Sequence, residues 1–192
     1  MPQRKHNRQI IMVFSAILAV SFALAPDLAA QENEQVVEVK SALARDAVRP
    51  GETFKAAVIL KVQAGYHIND NAPLDEFMIP TSLAIEDNPD FEVVEIYYPT
   101  GRRARFSYSE AELVVYDGET ALGVLLKAKD GLAPGAKILK AILSYQACDN
   151  TSCLPPKELA FEIAVPVAKT GGGGGDLHPE IFGKLRFKSL QK

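Results

Sequence analysis

Cys148 and Cys153 are the residues of this sequence whose type and spacing are best suited to chemistry. Four residues separate them, including Asn150 and Ser152, so a turn between two strands can bring the sulfurs together. A thiol reductant needs one thiolate to attack a disulfide and a second thiol to resolve the mixed disulfide, and this pair supplies both. The spacing alone leaves three alternatives: a redox pair, a local structural staple or a metal site.

The small size of the loop between the cysteines bears on this choice. A disulfide across six residues contributes only about 2 kcal/mol in the chain-entropy model, against about 4.7 kcal/mol for a 100-residue loop. It would hold one hairpin rather than link distant strands, which favours a redox role. A copper site would add His67 and Met78 as soft ligands, but the spacing does not group His67 with the cysteines. We expect no metal and no cofactor beyond the cysteines.

Charged neighbours would tune the pair. Asp149 beside Cys148 would oppose a thiolate. Four cations would favour a thiolate if the fold brings them close: Lys157, Arg102, Arg103 and Arg105. We lean towards Cys148 as the attacking sulfur and Cys153 as the less accessible one.

The N-terminus has the pattern of a secretory signal peptide. Three basic residues (Arg4, Lys5 and Arg8) precede an uncharged apolar run over residues 10–25, and small residues follow up to Ala30. The alternative is an uncleaved anchor, but the run spans only about 24 Å as a helix, against a hydrocarbon core of ~30 Å. We therefore predict removal of residues 1–30, export to the periplasm, where disulfides persist, and no membrane span in the mature chain.

The composition is that of one ordinary globular domain. The chain has 192 residues, of which 47% are apolar and 23% charged. A net charge of −3 gives no basic field for nucleic acid. Two cysteines are too few for a disulfide-dense miniprotein or a four-cysteine zinc site.

The elements that must position the cysteines are predicted to be strands. Segments 52–62, 136–147 and 158–167 alternate apolar and polar residues with period 2, and Pro166 indicates an edge strand. Shorter candidates are 35–40, 77–86, 91–98, 111–116 and 119–129, with Gly- or Pro-containing turns between them. The pattern predicts an all-β, immunoglobulin-like sandwich over residues 35–168, without that fold's usual core tryptophan.

A Gly-rich linker and a tail, residues 169–192, follow the predicted domain. Gly171 to Gly175 form a pentaglycine tract, a composition typical of a flexible coil. The tail is basic and apolar, and Ile181, Phe182, Leu185 and Phe187 offer apolar groups for docking. We favour a frayed terminus over a docked one.

Two stretches of the sequence resemble a known family. The first holds Tyr145, Gln146, Cys148 and Cys153, then Pro155-Pro156 and an alternating strand. It resembles the end of the N-terminal periplasmic domain of the DsbD-type thiol:disulfide interchange reductase. Residues 65–83 resemble the Gly-Tyr segment and the following strand of that family.

The resemblance implies a sandwich with a redox pair, Cys148 and Cys153, near one end. It implies that an aromatic cap shields the pair, over Tyr98 to Tyr108 here, with Phe106 as the shielding residue. Side chains after the Gly-Tyr pair, His67 and Asn69, would belong to the site, with Tyr108 and Tyr145 nearby. Electrons would come from a thioredoxin-like or membrane donor and pass to periplasmic disulfide isomerases or to the maturation factors of cytochrome c assembly.

The sequence also departs from the family. The cysteine gap is one residue shorter than in the best-known members, and arginines occupy cap positions where those members have acids. The transmembrane channel and the C-terminal thioredoxin-like domain are missing, so we expect the donor on a separate chain. We predict a periplasmic thiol–disulfide exchange protein, an oxidoreductase relaying reducing equivalents to disulfide-containing partners. The alternative is a secreted immunoglobulin-like binding module with a structural hairpin disulfide.

Overall fold

Alternation of apolar and polar residues gives this chain a fold built from β-strands. The computed structural model describes residues 35–75, 77–169 and 175–191; the predicted signal peptide and most of the pentaglycine tract lie outside these ranges. The strands are β1 (Val37–Leu43), β2 (Thr53–Val62), β3 (His67–Asn69), β4 (Ser82–Ile85), β5 (Phe91–Tyr97), β6 (Arg102–Ala104), β7 (Leu113–Tyr116), β8 (Glu119–Ala128), β9 (Gly135–Tyr145), β10 (Ala147–Cys148) and β11 (Lys157–Val167).

The strands form three antiparallel sheets. The first has the order β1-β2-β8-β5, the second β11-β9-β4 and the third β10-β3-β7-β6. Side chains from the first and second sheets share one buried apolar cluster, as two packed layers require. The prediction of an all-β, immunoglobulin-like sandwich is confirmed.

The alternating positions of the long strands fill the core between the layers. The inward residues predicted for β2 are all buried: Phe54, Ala56, Val58, Leu60 and Val62. Phe54 packs edge-to-face on Phe91 of β5, with ring centroids 5.7 Å apart. Truncating one large aliphatic side chain in such a core lowers the free energy of unfolding by about 2–5 kcal/mol. Packing in this core therefore stabilises the sandwich.

The second sheet ends at β11, which pairs with β9 from Lys157 opposite Tyr145 to Val167 opposite Gly135. β11 lies at the edge of its sheet, as Pro166 predicted, because proline has no N–H for a second ladder. β9 and β11 are the two strands joined through the cysteine segment, so the sandwich fixes both ends of that segment.

The small third sheet contains three strands that the sequence did not predict: β3, β6 and β10, of two or three residues each. Strands this short present too few positions for a period to be recognised. β3 holds the sheet together by pairing with β10 on one side and β7 on the other. This sheet carries Cys148 and the residues around it.

The described part of the C-terminal tail is docked, so the expectation of a frayed terminus is wrong for residues 175–191. The tail contains a short helix α1 (Pro179–Phe182) and a 3₁₀ turn (Lys188–Leu190). Phe182, Leu185 and Phe187 are buried in a second apolar cluster with Ala57 and Leu125 on the outer face of the first sheet. Within the described ranges, no helix has the length and apolarity needed to cross a membrane.

Candidate functional site

Cys148 and Cys153 are joined by a disulfide across a tight turn at the end of β10. The turn is closed by backbone hydrogen bonds from Asp149 N to Ser152 O (2.9 Å) and from Leu154 N to Ala147 O (2.8 Å). The two cysteines face each other as a short antiparallel bridge. The sequence therefore folds here as a miniature hairpin with the disulfide across its neck.

The side-chain carboxylate of Asp149 organises this turn. Its Oδ1 accepts hydrogen bonds from Thr151 N (2.7 Å), Thr151 Oγ1 (2.8 Å) and Ser152 N (2.8 Å). These bonds, led by the one from the Thr151 N–H, hold the pKa of the Asp149 carboxyl below its usual range. A fixed negative charge thus lies one residue from Cys148, as the sequence indicated.

The two sulfur-bearing residues differ in exposure. Cys148 is completely buried because β10 pairs with β3, whereas Cys153 lies beyond the turn and is exposed. The leaning towards Cys153 as the less accessible residue is therefore wrong. The fold therefore leaves Cys153 as the more exposed residue of the pair and Cys148 as the buried one.

His67 lies directly opposite Cys148 in the β3–β10 pair. Its side chain is buried, and its Nε2 lies 2.7 Å from the Tyr108 hydroxyl oxygen. Burial lowers the pKa of His67 more than Asp117 and Asp149 raise it, so the imidazole is neutral near pH 7.

An aromatic cap covers His67. The ring of Phe106 stacks on the imidazole with centroids 3.8 Å apart and an interplanar angle of 12°. Phe106 also stacks on Tyr108, at 5.6 Å. The segment that holds these rings follows β6, and Ser107 Oγ donates a hydrogen bond to the carbonyl oxygen of Asn150, inside the cysteine turn. The cap thus contacts β3 through His67 and the cysteine turn through Asn150.

Two arginines beside the cap are held in ion pairs. Arg102 Nε lies 3.0 Å from Asp117 Oδ2, and Arg103 pairs with Glu112 at 3.2 Å. An open cleft of about 620 Å³ lies next to the cap, lined by Tyr66, His67, Arg102, Phe106, Asp117 and Asn150 among others. Two of the arginines expected to stabilise a thiolate, Arg102 and Arg103, are therefore balanced by carboxylates. The cleft offers room for an approaching chain.

The two remaining predicted residues support the site from below. Asn69 is buried, and its Nδ2 donates to the carbonyl oxygen of Ile79 (2.9 Å), which fixes the loop after β3. Tyr145, at the end of β9, is buried, and its hydroxyl has no hydrogen-bond partner among the described residues. Desolvation raises the pKa of this phenol, so it stays neutral.

Three contributors to the site were not predicted as site residues: Ser107, Asp117 and Asn150, the last of which was named only as a turn former. Ser107 and Asn150 are 43 residues apart and meet only through the fold. No local pattern marks their contact. In the residues that the structure describes, no group of three or more His, Cys, Asp and Glu side chains is arranged to hold a metal ion.

The fold and the site define a class: an immunoglobulin-like domain with a two-cysteine disulfide beside an aromatic cap. A family model described as "Thiol:disulfide interchange protein DsbD, N-terminal" matches residues 33–164. The chain belongs to this family.

Two solved structures show the likeness at low identity. One is the N-terminal periplasmic domain of ScsB from Proteus mirabilis, at 11% identity and a TM-score of 0.46, covering 71% of this chain and 48% of that one. The other is the DsbD N-terminal domain of Neisseria meningitidis in the reduced form, at 18% identity and a TM-score of 0.36. The match covers 67% of this chain and 85% of that one. The chain spans about half the length of the ScsB domain. No curated protein matches the sequence.

Proposed function

We propose that this domain is a periplasmic thiol–disulfide exchange protein that works through the Cys148–Cys153 pair. Family membership supports an exchange role in general. The observation that carries the proposal is the asymmetry of the disulfide, with exposed Cys153 bonded to buried Cys148 next to the cap. A staple needs no such asymmetry and no cap. The basic and apolar leader predicted in the sequence supports the location.

Reduction of the domain begins at the exposed sulfur. A donor thiolate attacks Sγ of Cys153, a donor–Cys153 disulfide forms, and Cys148 leaves as a thiolate. The donor's second thiol then attacks the mixed disulfide, which frees Cys153 and oxidises the donor. Two electrons have moved from the donor dithiol to the domain.

The reduced pair then passes the two electrons on. The Cys153 thiolate attacks a disulfide of the recipient, and Cys148 resolves the mixed disulfide, which restores the Cys148–Cys153 bond. The family resemblance points to a thioredoxin-like or membrane-bound dithiol donor. The recipients we propose are a periplasmic disulfide isomerase or an apocytochrome maturation protein.

The cap limits how much of the cysteine pair a thiol can reach beyond the exposed Cys153. Phe106 packs on His67 and Ser107 bonds to Asn150, so the cap must move when a partner protein approaches the cysteine turn. A partner that displaces the cap also gains access to the buried Cys148 side of the disulfide, whereas a small thiol without such contacts meets only the exposed Cys153.

Trapping of mixed disulfides tests this function. With Cys148→Ser, Cys153 has no resolving partner, so we expect disulfide-linked complexes with periplasmic proteins on non-reducing gels. The matched variant Cys153→Ser leaves only the buried thiol and is expected to trap far less. If Cys148→Ser traps nothing, or if both variants trap equally, the proposal is wrong, and the binding-module alternative gains support.

A further inference from the structure

The outer face of the first sheet, away from the sandwich core, is a shallow apolar floor. Small residues of β1, β2 and β8 and the loop after β1 form most of it: Ala42, Ala44, Ala57, Ala121 and Gly123. Polar side chains normally occupy this side of a strand in a sandwich. The floor is covered by the tail, which follows the stretch matched by the family model.

Phe187 of the tail enters a slot that only glycine can leave open. A Cβ atom at Gly123 would lie 2.6 Å from Cζ of Phe187 and 3.2 Å from Cδ1 of Leu185. Tyr97 forms one wall, with ring centroids 6.0 Å from Phe187, and Lys55 Nζ lies 5.9 Å from the Phe187 ring. Glycine in the middle of a strand weakens the strand, so its presence under an aromatic ring indicates a built contact.

A carboxylate fixes the backbone that follows Phe187. The oxygens of Glu95 on β5 accept hydrogen bonds from Lys188 N (2.8 Å) and Ser189 N (2.9 Å). The Ser189 hydroxyl donates to the same carboxylate, and these bonds lower the pKa of Glu95. An aromatic ring in a slot and a carboxylate on the next two N–H groups form a two-point recognition site.

The other end of the tail is held more lightly. Leu177 N donates to Ala44 O (2.8 Å), and Arg45 lies 3.9 Å from Asp176. A cavity of about 370 Å³ remains beside Ile181 and Leu185. The tail therefore contacts the face at a few anchor points and leaves a cavity beside them, as a bound peptide does and a layer of the core does not.

We propose that this face is a peptide-binding site whose ligand is residues 176–191 of this chain, a tail that binds as a displaceable ligand rather than as a fixed layer of the fold. Recognition rests on an aromatic residue in the Gly123 slot and a following pair of N–H groups at Glu95. The site is separate from the disulfide and does not depend on exchange activity. A short tether gives the resident tail an effective concentration in the millimolar range, so a free copy of the peptide binds only after the resident tail is released.

Binding of a labelled peptide to the full chain tests the site. The probe is a fluorescent synthetic peptide with the sequence of residues 176–191, and the receptor is the full chain with Phe182, Leu185 and Phe187 each changed to Ser, which releases its own tail. We expect saturable binding by anisotropy, at least tenfold tighter than to the unaltered chain. A peptide carrying Phe187→Ala is the matched control and should lose at least tenfold.

Adding Gly123→Val to the tail-released chain should abolish peptide binding, because the valine side chain fills the slot. No saturable binding to a tail-released chain that keeps its native circular dichroism, or equal binding with Gly123→Val, would overturn the proposal.

Hydrogen exchange covers the case in which the triple variant fails to fold. Gly123→Val alone should remove the protection of the Lys188 and Ser189 amides while those of β2 and β8 keep theirs. Unchanged protection at Lys188 and Ser189 would overturn the proposal as well.

Discussion

Phe106 stacks on His67 with ring centroids 3.8 Å apart, and His67 lies opposite Cys148 across the β3–β10 pair. The contact joins the cap to the strand that faces the buried cysteine. It links movement of one aromatic ring to the surroundings of the disulfide. The predictions that follow test this link and the asymmetry of the cysteine pair.

Removing the cap ring should open the disulfide further to small thiols. Phe106→Ala deletes the stack on His67, so we expect dithiothreitol to reduce the Cys148–Cys153 bond several-fold faster than in the unaltered protein. Reduction quenched at set times by alkylation and followed by mass spectrometry measures the rate. Phe77→Ala, at an aromatic residue that is 84% exposed, is the control and should leave the rate unchanged. Equal rates for both variants would show that Phe106 does not shield the bond.

The reduced cysteines should differ in reactivity. Because Cys153 is exposed and Cys148 is buried, iodoacetamide should modify Cys153 at least about tenfold faster in the folded, reduced protein. Peptide mass spectrometry after timed quenching gives the two rates. Equal modification would mean that reduction opens the β3–β10 pair, and faster modification of Cys148 would contradict the assignment of Cys153 as the attacking sulfur.

Asp149 should keep the disulfide resistant to reduction. Its carboxylate organises the turn and opposes a neighbouring thiolate, so Asp149→Ala should make the reduction potential less negative. Asp149→Asn keeps an acceptor oxygen but removes the charge, and separates the two causes. A shift in both variants assigns the effect to charge, and a shift in Asp149→Ala alone assigns it to the turn. No shift in either would contradict this role.

Stability should fall in mild acid because of His67. Its pKa in the folded protein lies below 6.5, so the unfolded chain binds more protons than the native one. The stabilisation is complete above pH 6.5 and is lost as the pH falls towards the folded pKa. Urea unfolding between about pH 5 and pH 8 measures the slope. His67→Gln should flatten the slope in this window, and an unchanged slope would assign the effect to other groups.

The long strands could be predicted because their apolar and polar residues alternate in the sequence, and the fold buries the apolar set. β2 and β9 bury the side chains that period 2 assigns to the core. The short strands β3, β6 and β10 were not predicted, because pairing with neighbouring strands, rather than their own residue pattern, makes them strands. Burial of Cys148 depends on that pairing, which explains why the two cysteines were ranked in the wrong order of accessibility.

The tail shows a second limit of sequence reasoning. Its apolar residues were recognised, but docking depends on the slot at Gly123 and on the carboxylate of Glu95, which are distant in the sequence. The same applies to the bond between Ser107 and Asn150 at the cap. In both cases the missing information was the partner surface rather than the character of the segment.

The reduction potential of the Cys148–Cys153 pair tests the central claim most directly. The full-length protein would be equilibrated in glutathione or dithiothreitol buffers, alkylated, and its modified thiols counted by mass. Structural disulfides typically lie below about −300 mV, and exchange-active ones lie higher. We predict a value clearly above that limit. A value at or below it would make the pair a structural staple and contradict the account of this domain as an exchange protein.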